Sequence, residues 1–283
     1  ACMAGCIVSC SNIVHDKDGN YKTSALEFET LTLLGSCCAI NNWEDVAELD
    51  RLCDELGLDT IETGAAIAVY MDSNGMPWGD AEGAKKLLAE DVNNGTELGR
   101  NIGDGALAIG TARKHHRIPV AKGQALPAWD PRPLKATGIT YCTSAQGGDH
   151  TAGLVIDPKI SGEKAAIASQ EVQIVNAVCD STGFCMFLGP TIEETAKFFT
   201  PFFGETVTRE QIADIGWECL ADEWEFNDRA GMTLADDSMA ECMSTEGIGP
   251  EHSMKFDVPE EIVRMAKVRQ PATEKFWRRS PAG

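Results

Sequence analysis

Two short phrases in this chain share residue types and spacing that suit ligand binding. Residues 53–59 read Cys-Asp-Glu-Leu-Gly-Leu-Asp, and residues 179–185 read Cys-Asp-Ser-Thr-Gly-Phe-Cys. Each follows an amphipathic, helix-like stretch, so Asp54 and Asp180 fall in a last helical turn. A helix C-terminus carries partial negative charge and disfavours an acid there. One such aspartate is a solvated helix end; two in the same setting point to carboxylates kept for a ligand. Gly57 and Gly183 suit the left-handed residue that stops a helix. Leu58, Asp59 and Phe184 complete the candidate binding phrases.

The second phrase ends in Cys185, and three further cysteines open the chain as C-x3-C-x3-C: Cys2, Cys6 and Cys10. A clustered triplet plus one distant thiolate is a pattern that holds an iron–sulfur cluster. Structural zinc more often takes two short pairs. A disulfide framework is disfavoured by the odd total of eleven cysteines. A cysteine-rich turn of buried, inert thiols is the plainer alternative. His150 follows Gly147-Gly148 in a loop-like stretch and can donate a hydrogen bond or shuttle a proton. The adjacent pair His115-His116 does not share a helix face and is not read as a metal site. Cys37-Cys38, Cys142, Cys219 and Cys242 read as packing or ordinary thiols.

The elements that must position these groups read as helices. Val46, Leu49, Cys53 and Leu56 recur at helical spacing, with Asn41 or Asn42 as cap. Further helices are expected over 27–34, 60–71, 81–88 and 97–109. A helix starting at Ser161 or Gly162, with Ile167, Val172, Val175 and Val178 apolar, leads into Asp180. Helices over 191–199 and 208–229 follow. Strand signals are few and short. The Pro- and Gly-rich stretch 118–133 is the expected boundary between a domain at 1–118, holding the cysteine loop and first phrase, and a domain at 119–283, holding the second phrase and Cys185. The fold class is mainly α, with two helical domains.

The 283 residues carry a net charge of −20 and are 43% hydrophobic. Phosphate binding needs clustered Lys and Arg, so the acidity argues against nucleic acid. No apolar run reaches membrane-span length, and no signal peptide is visible, so no membrane partner and a cytoplasmic location are expected. The basic run 113–117 is read as a solvated connector or a patch for an acidic electron carrier.

Taken together, these residues resemble the aldehyde ferredoxin oxidoreductase family of tungsten, sometimes molybdenum, pterin enzymes. Its members carry two D-x-x-G-L-(Cys/Asp) motifs, three clustered cysteines and a fourth cysteine ending the second motif. Other stretches similar to family signatures are 26–30 with 33–35, 58–64, 127–132, 143–150 and 225–231. The usual early cysteine spacing is C-x2-C-x3-C, one residue shorter than here.

The resemblance implies that Asp54, Gly57, Leu58 and Asp59, with Asp180, Gly183 and Phe184, bind a bis-pyranopterin carrying tungsten or molybdenum. It implies that Cys2, Cys6, Cys10 and Cys185 hold a 4Fe-4S cluster. His150 matches a histidine beside the metal, and Glu29 a buried glutamate that activates water or takes a proton. Asp54, Asp180, Glu29 and His150 would then share one cleft. The implied reaction turns a small aldehyde into a carboxylic acid, with ferredoxin or a similar carrier taking the electrons. A relative reducing aryl-CoA thioesters, and a non-enzymatic iron–sulfur electron-transfer subunit, are the alternatives. A homodimer is compatible with the family. Some members bind an interfacial iron through Glu-x-x-His; the counterpart, Glu48-Leu49-Asp50-Arg51, lacks the imidazole and is not carried over. Family members place a β-rich domain before this region, so the chain reads as the C-terminal part of a longer enzyme, and that domain is expected in cis or in trans.

Overall fold

A computed structural model describes residues 4–269 and is mainly α, as expected. Its residues fall in two units, Ala1–Ala128 with Ala240–Cys242, and Trp129–Met239 with Met243–Gly283. Cys2 lies outside the described residues.

The first unit opens on a hairpin of β1 (Ile13–His15) and β2 (Tyr21–Ser24), paired antiparallel with Val14 opposite Thr23. Asp16 organises its turn by accepting from the Asp18 and Asn20 amides, both at 2.9 Å. A short α1 (Phe28–Thr30) widens into a π-wound turn, Leu31–Gly35, and closes on a 3-10 turn, Ser36–Cys38. Sequence spacing had suggested one plain helix here. The wider winding follows from close packing: a Cβ on Gly64 would lie 2.5 Å from the Leu33 carbonyl carbon, so the next helix backbone rests directly on this segment.

Asn42 caps α2 (Trp43–Leu56) through Oδ1, which accepts from the Glu44 amide at 3.0 Å. α2 buries Val46, Leu49 and Cys53, as its period requires. α3 (Thr60–Asp72) is buried along most of its length. α4 (Ala81–Lys86) runs into a second π-wound turn, Leu87–Val92. The helix expected over 97–109 is two helices, α5 (Glu97–Gly103) and α6 (Ala106–Ala112). The chain breaks at Gly105, where φ is 94°, and the Glu62 carboxylate accepts from the Ala106 amide at 2.7 Å. Its other oxygen accepts from Ala125 at 2.8 Å, tying α3 to a small hairpin of β3 (Val120–Ala121) and β4 (Gln124–Ala125). The basic run is not a free connector. His115 Nε2 lies 2.7 Å from Asp72 Oδ2, Arg117 pairs with Asp72, and Arg113 donates to the Ser73 carbonyl at 2.8 Å.

The β1–β2 hairpin is anchored to α2 by a buried pair. Thr23 Oγ1 donates to Asp50 Oδ2, and the two residues are 0% and 4% exposed. Burial pushes the Asp50 carboxyl up, against the lowering by Thr23. A carboxyl raised on folding costs stability as pH climbs from its unfolded value, about 3.9, through the folded one. Thr23→Val removes the hydroxyl that favours the charged form. It should destabilise the chain by about 1–3 kcal/mol, with a larger deficit at neutral pH than near pH 4. Urea melts at the two pH values read this, and equal deficits would contradict it.

In the second unit, α7 (Lys135–Thr143) is buried from Ala136 through Thr143. A helix buried all round has no polar stripe to give it a period, so spacing did not reveal it. Beyond it lie α8 (Glu163–Thr182), α9 (Ile192–Phe203), α10 (Arg209–Arg229) and, after the short α11 (Glu241–Thr245) whose residues are divided between the two units, α12 (Glu260–Met265). Thr191 and Thr208 form capping boxes with Glu194 and Gln211. The buried face of α8 differs from the expected valine stripe. Val172 and Val175 are only half-buried, whereas Ser169, Gln170 and Gln173 are at most 1% exposed. Hydrogen bonds make this possible: Ser169 and Thr140 hydroxyls lie 2.8 Å apart, and Gln170 Nε2 donates to the Ala266 and Val268 carbonyls at 2.9 Å. Gly216 lets α10 approach α8 closely, since a Cβ there would sit 2.5 Å from the Ile174 carbonyl oxygen. No helix among the described residues is long and apolar enough to cross a membrane.

Candidate functional site

The two phrases end their helices by the same hydrogen bonds. At the end of α2 the Gly57 amide donates to Asp54 O at 3.3 Å and the Leu58 amide to Cys53 O at 2.9 Å. At the end of α8 the Gly183 amide donates to Asp180 O at 3.3 Å and the Phe184 amide to Cys179 O at 2.9 Å. Both glycines are left-handed, with φ of 68° and 75°. Left-handed backbone costs an L-residue roughly 1–2 kcal/mol, which is why glycine stands there. The caps use backbone carbonyls only, so both carboxylates stay available on the exposed side of their helices. The preceding cysteines point inward: burial pushes the Cys53 thiol up to about 12 and raises Cys179.

The phrases part at their last residue. Asp59 Oδ2 caps α3 by accepting from the Glu62 amide at 2.7 Å. Cys185 instead leaves α8 exposed in a turn, with the Leu188 amide on its carbonyl at 3.0 Å. Leu58 packs on the core of the first unit, while Phe184 meets Phe198 edge-on at 5.2 Å.

In the first unit, Cys6 and Cys10 lie before β1, half-buried and exposed respectively. Hydrogen bonds from the Ser9 and Val8 backbone lower the Cys6 thiol below its ordinary range, favouring the thiolate a metal needs. Glu29, on α1, is buried, and its Oε2 accepts from the Ala128 amide at 2.7 Å. In the second unit, His150 sits in the loop after α7, with Nδ1 3.9 Å from Asp149 Oδ1. Asp149 is held in turn by the Thr151 amide at 2.7 Å and its hydroxyl at 2.6 Å. Among the described residues, no three His, Cys, Asp or Glu side chains gather into a metal-ion site.

The second unit also holds an open cavity of about 500 Å³, lined by Asp180 together with Ser144, Gln173 and Asn176 from one side and Glu223 and Asn227 from α10. Burial and the nearby Asp149 raise the Asp180 carboxyl; burial and Asp180 raise Glu223. Spacing singled out only Asp180 of this set. The resemblance also marked Ser144, in the stretch 143–150, and Asn227, in the stretch 225–231, whose Nδ2 donates to the Ala145 carbonyl at 2.7 Å; nothing in the sequence marked Gln173, Asn176 or Glu223.

The family model for aldehyde ferredoxin oxidoreductase, domains 2 and 3, matches residues 1–268. The chain belongs to the aldehyde ferredoxin oxidoreductase family. The tungsten-containing aldehyde ferredoxin oxidoreductase of Pyrococcus furiosus is 27% identical over 279 residues, covering 88% of this chain and 46% of that protein. The protein of that name from Thermococcus kodakarensis is 27% identical over 243 residues, covering 76% of this chain and 40% of that protein. An aliphatic sulfonate oxidoreductase, WOR-like subunit, of P. furiosus is 31% identical over 238 residues, covering 75% of this chain and 36% of that protein. The chain thus spans under half the length of these relatives. As an aldehyde ferredoxin oxidoreductase family member it is of oxidoreductase stock, and the first two relatives are tungsten proteins by name.

Proposed function

We propose that the chain is the C-terminal part of a tungsten or molybdenum pterin, iron–sulfur oxidoreductase that converts aldehydes to carboxylic acids with ferredoxin as electron acceptor. The observation that carries this reading is the pair of matching helix ends, each leaving an aspartate carboxylate uncommitted to its own cap. A pterin edge presents ring N–H and amino donors, and a carboxylate accepts such donors in pairs. Acceptors at both helix ends, and the Glu223 side chain that lines the cavity with Asp180, fit that group.

In this reading Asp54 and Asp180 orient the cofactor by accepting its N–H groups. A bound tungsten pterin centre supplies the two-electron redox change. Glu29 takes a proton from the water that is added to the aldehyde carbon, and His150 donates a hydrogen bond to the reacting oxygen and passes a proton on. Aldehyde and water give carboxylic acid, two protons and two electrons. Cys6, Cys10, Cys185 and Cys2 would be the residues to hold a 4Fe-4S cluster, which would supply one-electron transfer. The strong net acidity confines any acidic carrier to a local docking point rather than long-range attraction. The expected domain boundary in the stretch 118–133 and the cytoplasmic location belong to the same reading.

A second reading concerns the substrate. The relative named as an aliphatic sulfonate oxidoreductase subunit favours oxidation of a sulfonate-bearing compound, and its name makes it one subunit of a larger enzyme.

Metal analysis of the native full-length protein tests the class: tungsten or molybdenum together with iron is expected, and neither metal would overturn the reading. Viologen-dye reduction with an aldehyde tests the part played by the rest of the enzyme. The 283-residue chain alone is expected to give no turnover, and turnover to return with the N-terminal domain in the same or a partner chain.

A further inference from the structure

The loop that carries His150 leaves α7 at a buried helix end. Thr143 and Ser144 are 0% and 1% exposed. A helix end leaves its last carbonyls without intrahelical donors, and buried ones need donors from elsewhere in the protein. Here two donors come from α10. Trp224 Nε1 donates to the Thr143 carbonyl at 2.8 Å, and Asn227 Nδ2 to the Ala145 carbonyl at 2.7 Å. Residues three apart share a helix face, so one turn of α10 grips the chain at two points. The indole is itself fixed. Trp224 meets the Trp217 ring edge-on at 5.6 Å, and Lys267 Nζ stands 5.5 Å from its ring centroid while pairing with Asp237 at 2.8 Å.

From these two carbonyls a chain of hydrogen bonds leads to His150. Ser144 Oγ donates to the Gly147 carbonyl at 2.8 Å and accepts from the Gly147 amide at 3.1 Å. The Asp149 amide donates to the Gly147 carbonyl at 2.7 Å. Gly147 has a φ of 96°, which glycine adopts without strain. Beyond His150, α8 holds the loop. Asn176 Nδ2 donates to the Thr151 carbonyl at 2.7 Å, and a Cβ on Gly153 would lie 2.7 Å from Val172 Cγ2. His150 therefore hangs between an anchorage on α10 before it and one on α8 after it. Trp224 does not line the cavity beside Asp180, and its single N–H is spent on Thr143.

We propose that Trp224 and Asn227 are positioning residues, which hold the loop of His150 in place through the Thr143 and Ala145 carbonyls. The catalytic consequence rests on the proton-handling role given to His150 above. A displacement of about 1 Å at a reacting group can cost about a hundredfold in rate, so two bonds remote from the chemistry would act on it through the loop.

The test uses the full-length enzyme and the variants Trp224→Phe, Asn227→Ala and His150→Ala. Trp224→Phe keeps an aromatic ring and removes the N–H. Hydrogen exchange of the peptide 143–153, read by mass spectrometry, should quicken about three- to tenfold in Trp224→Phe and in Asn227→Ala, the loss of one hydrogen bond. Exchange of 163–182 should stay as it is. Each variant should lower kcat about ten- to a hundredfold, with KM for the aldehyde, tungsten and pterin contents and melting temperature held. Combined with His150→Ala, neither should lower kcat further, because groups that act as a unit are not additive. Unchanged exchange of 143–153 in both variants overturns the proposal. So does faster exchange with wild-type kcat while His150→Ala is impaired, or an equal loss of kcat with and without His150, or a loss of tungsten in step with kcat. If His150→Ala itself keeps wild-type kcat, the proton role of His150 falls instead, and faster exchange of 143–153 still supports α10 as the holder of the loop.

Discussion

Glu29→Gln in the full-length enzyme is expected to lower kcat by about 10²–10⁴-fold, with metal and pterin contents at wild-type levels. Glu29 is only 9% exposed, and α1 together with the π-wound turn behind it fixes its backbone. Oε2 accepts from the Ala128 amide at 2.7 Å, a bond that glutamine retains through its own oxygen. The variant therefore keeps the side chain's shape and anchor and loses only its capacity to take a proton. A role in packing would leave kcat nearly unchanged. Loss of activity accompanied by loss of tungsten would equally refute the proton-transfer role, because the damage would lie in cofactor binding. Measuring kcat, KM and metal content on one preparation separates the outcomes.

Asp54→Ala and Asp180→Ala are each expected to reduce pterin affinity about ten- to a hundredfold, the cost of about 1.5–3 kcal/mol for a hydrogen bond to a charged group. Together they should leave the full-length enzyme nearly free of cofactor. The helix ends provide the control. Both caps run through the backbone carbonyls of residues 53, 54, 179 and 180, so truncating the carboxylates leaves them intact. Each variant also removes a negative charge from the negative end of a helix, a change worth a few tenths of a kcal/mol in favour of folding. Stability should hold or rise while pterin content falls. Unchanged pterin content in both variants would remove the support for the proposed function; a parallel fall in stability would reassign the aspartates to structure.

Much of this protein was legible in the sequence because the decisive interactions are local. A cap joins residues two to five apart, so Asn42, Thr191, Thr208, Gly57 and Gly183 announce their helix ends by type and spacing alone. The doubled phrase is legible for the same reason, and with it the two aspartates at matching ends. Burial is not local. Gln173 reads as a surface residue until Thr143, 30 residues away, supplies its acceptor, and Trp224 donates to the Thr143 carbonyl from 81 residues away. α7 has no period because packing covers it on every side, and the new helix start at Ala106 is held by a carboxylate 44 residues earlier. The cavity's character was likewise decided by tertiary structure. Asn176 and Asn227 line it with their nitrogens spent on the Thr151 and Ala145 carbonyls, 25 and 82 residues away in the chain.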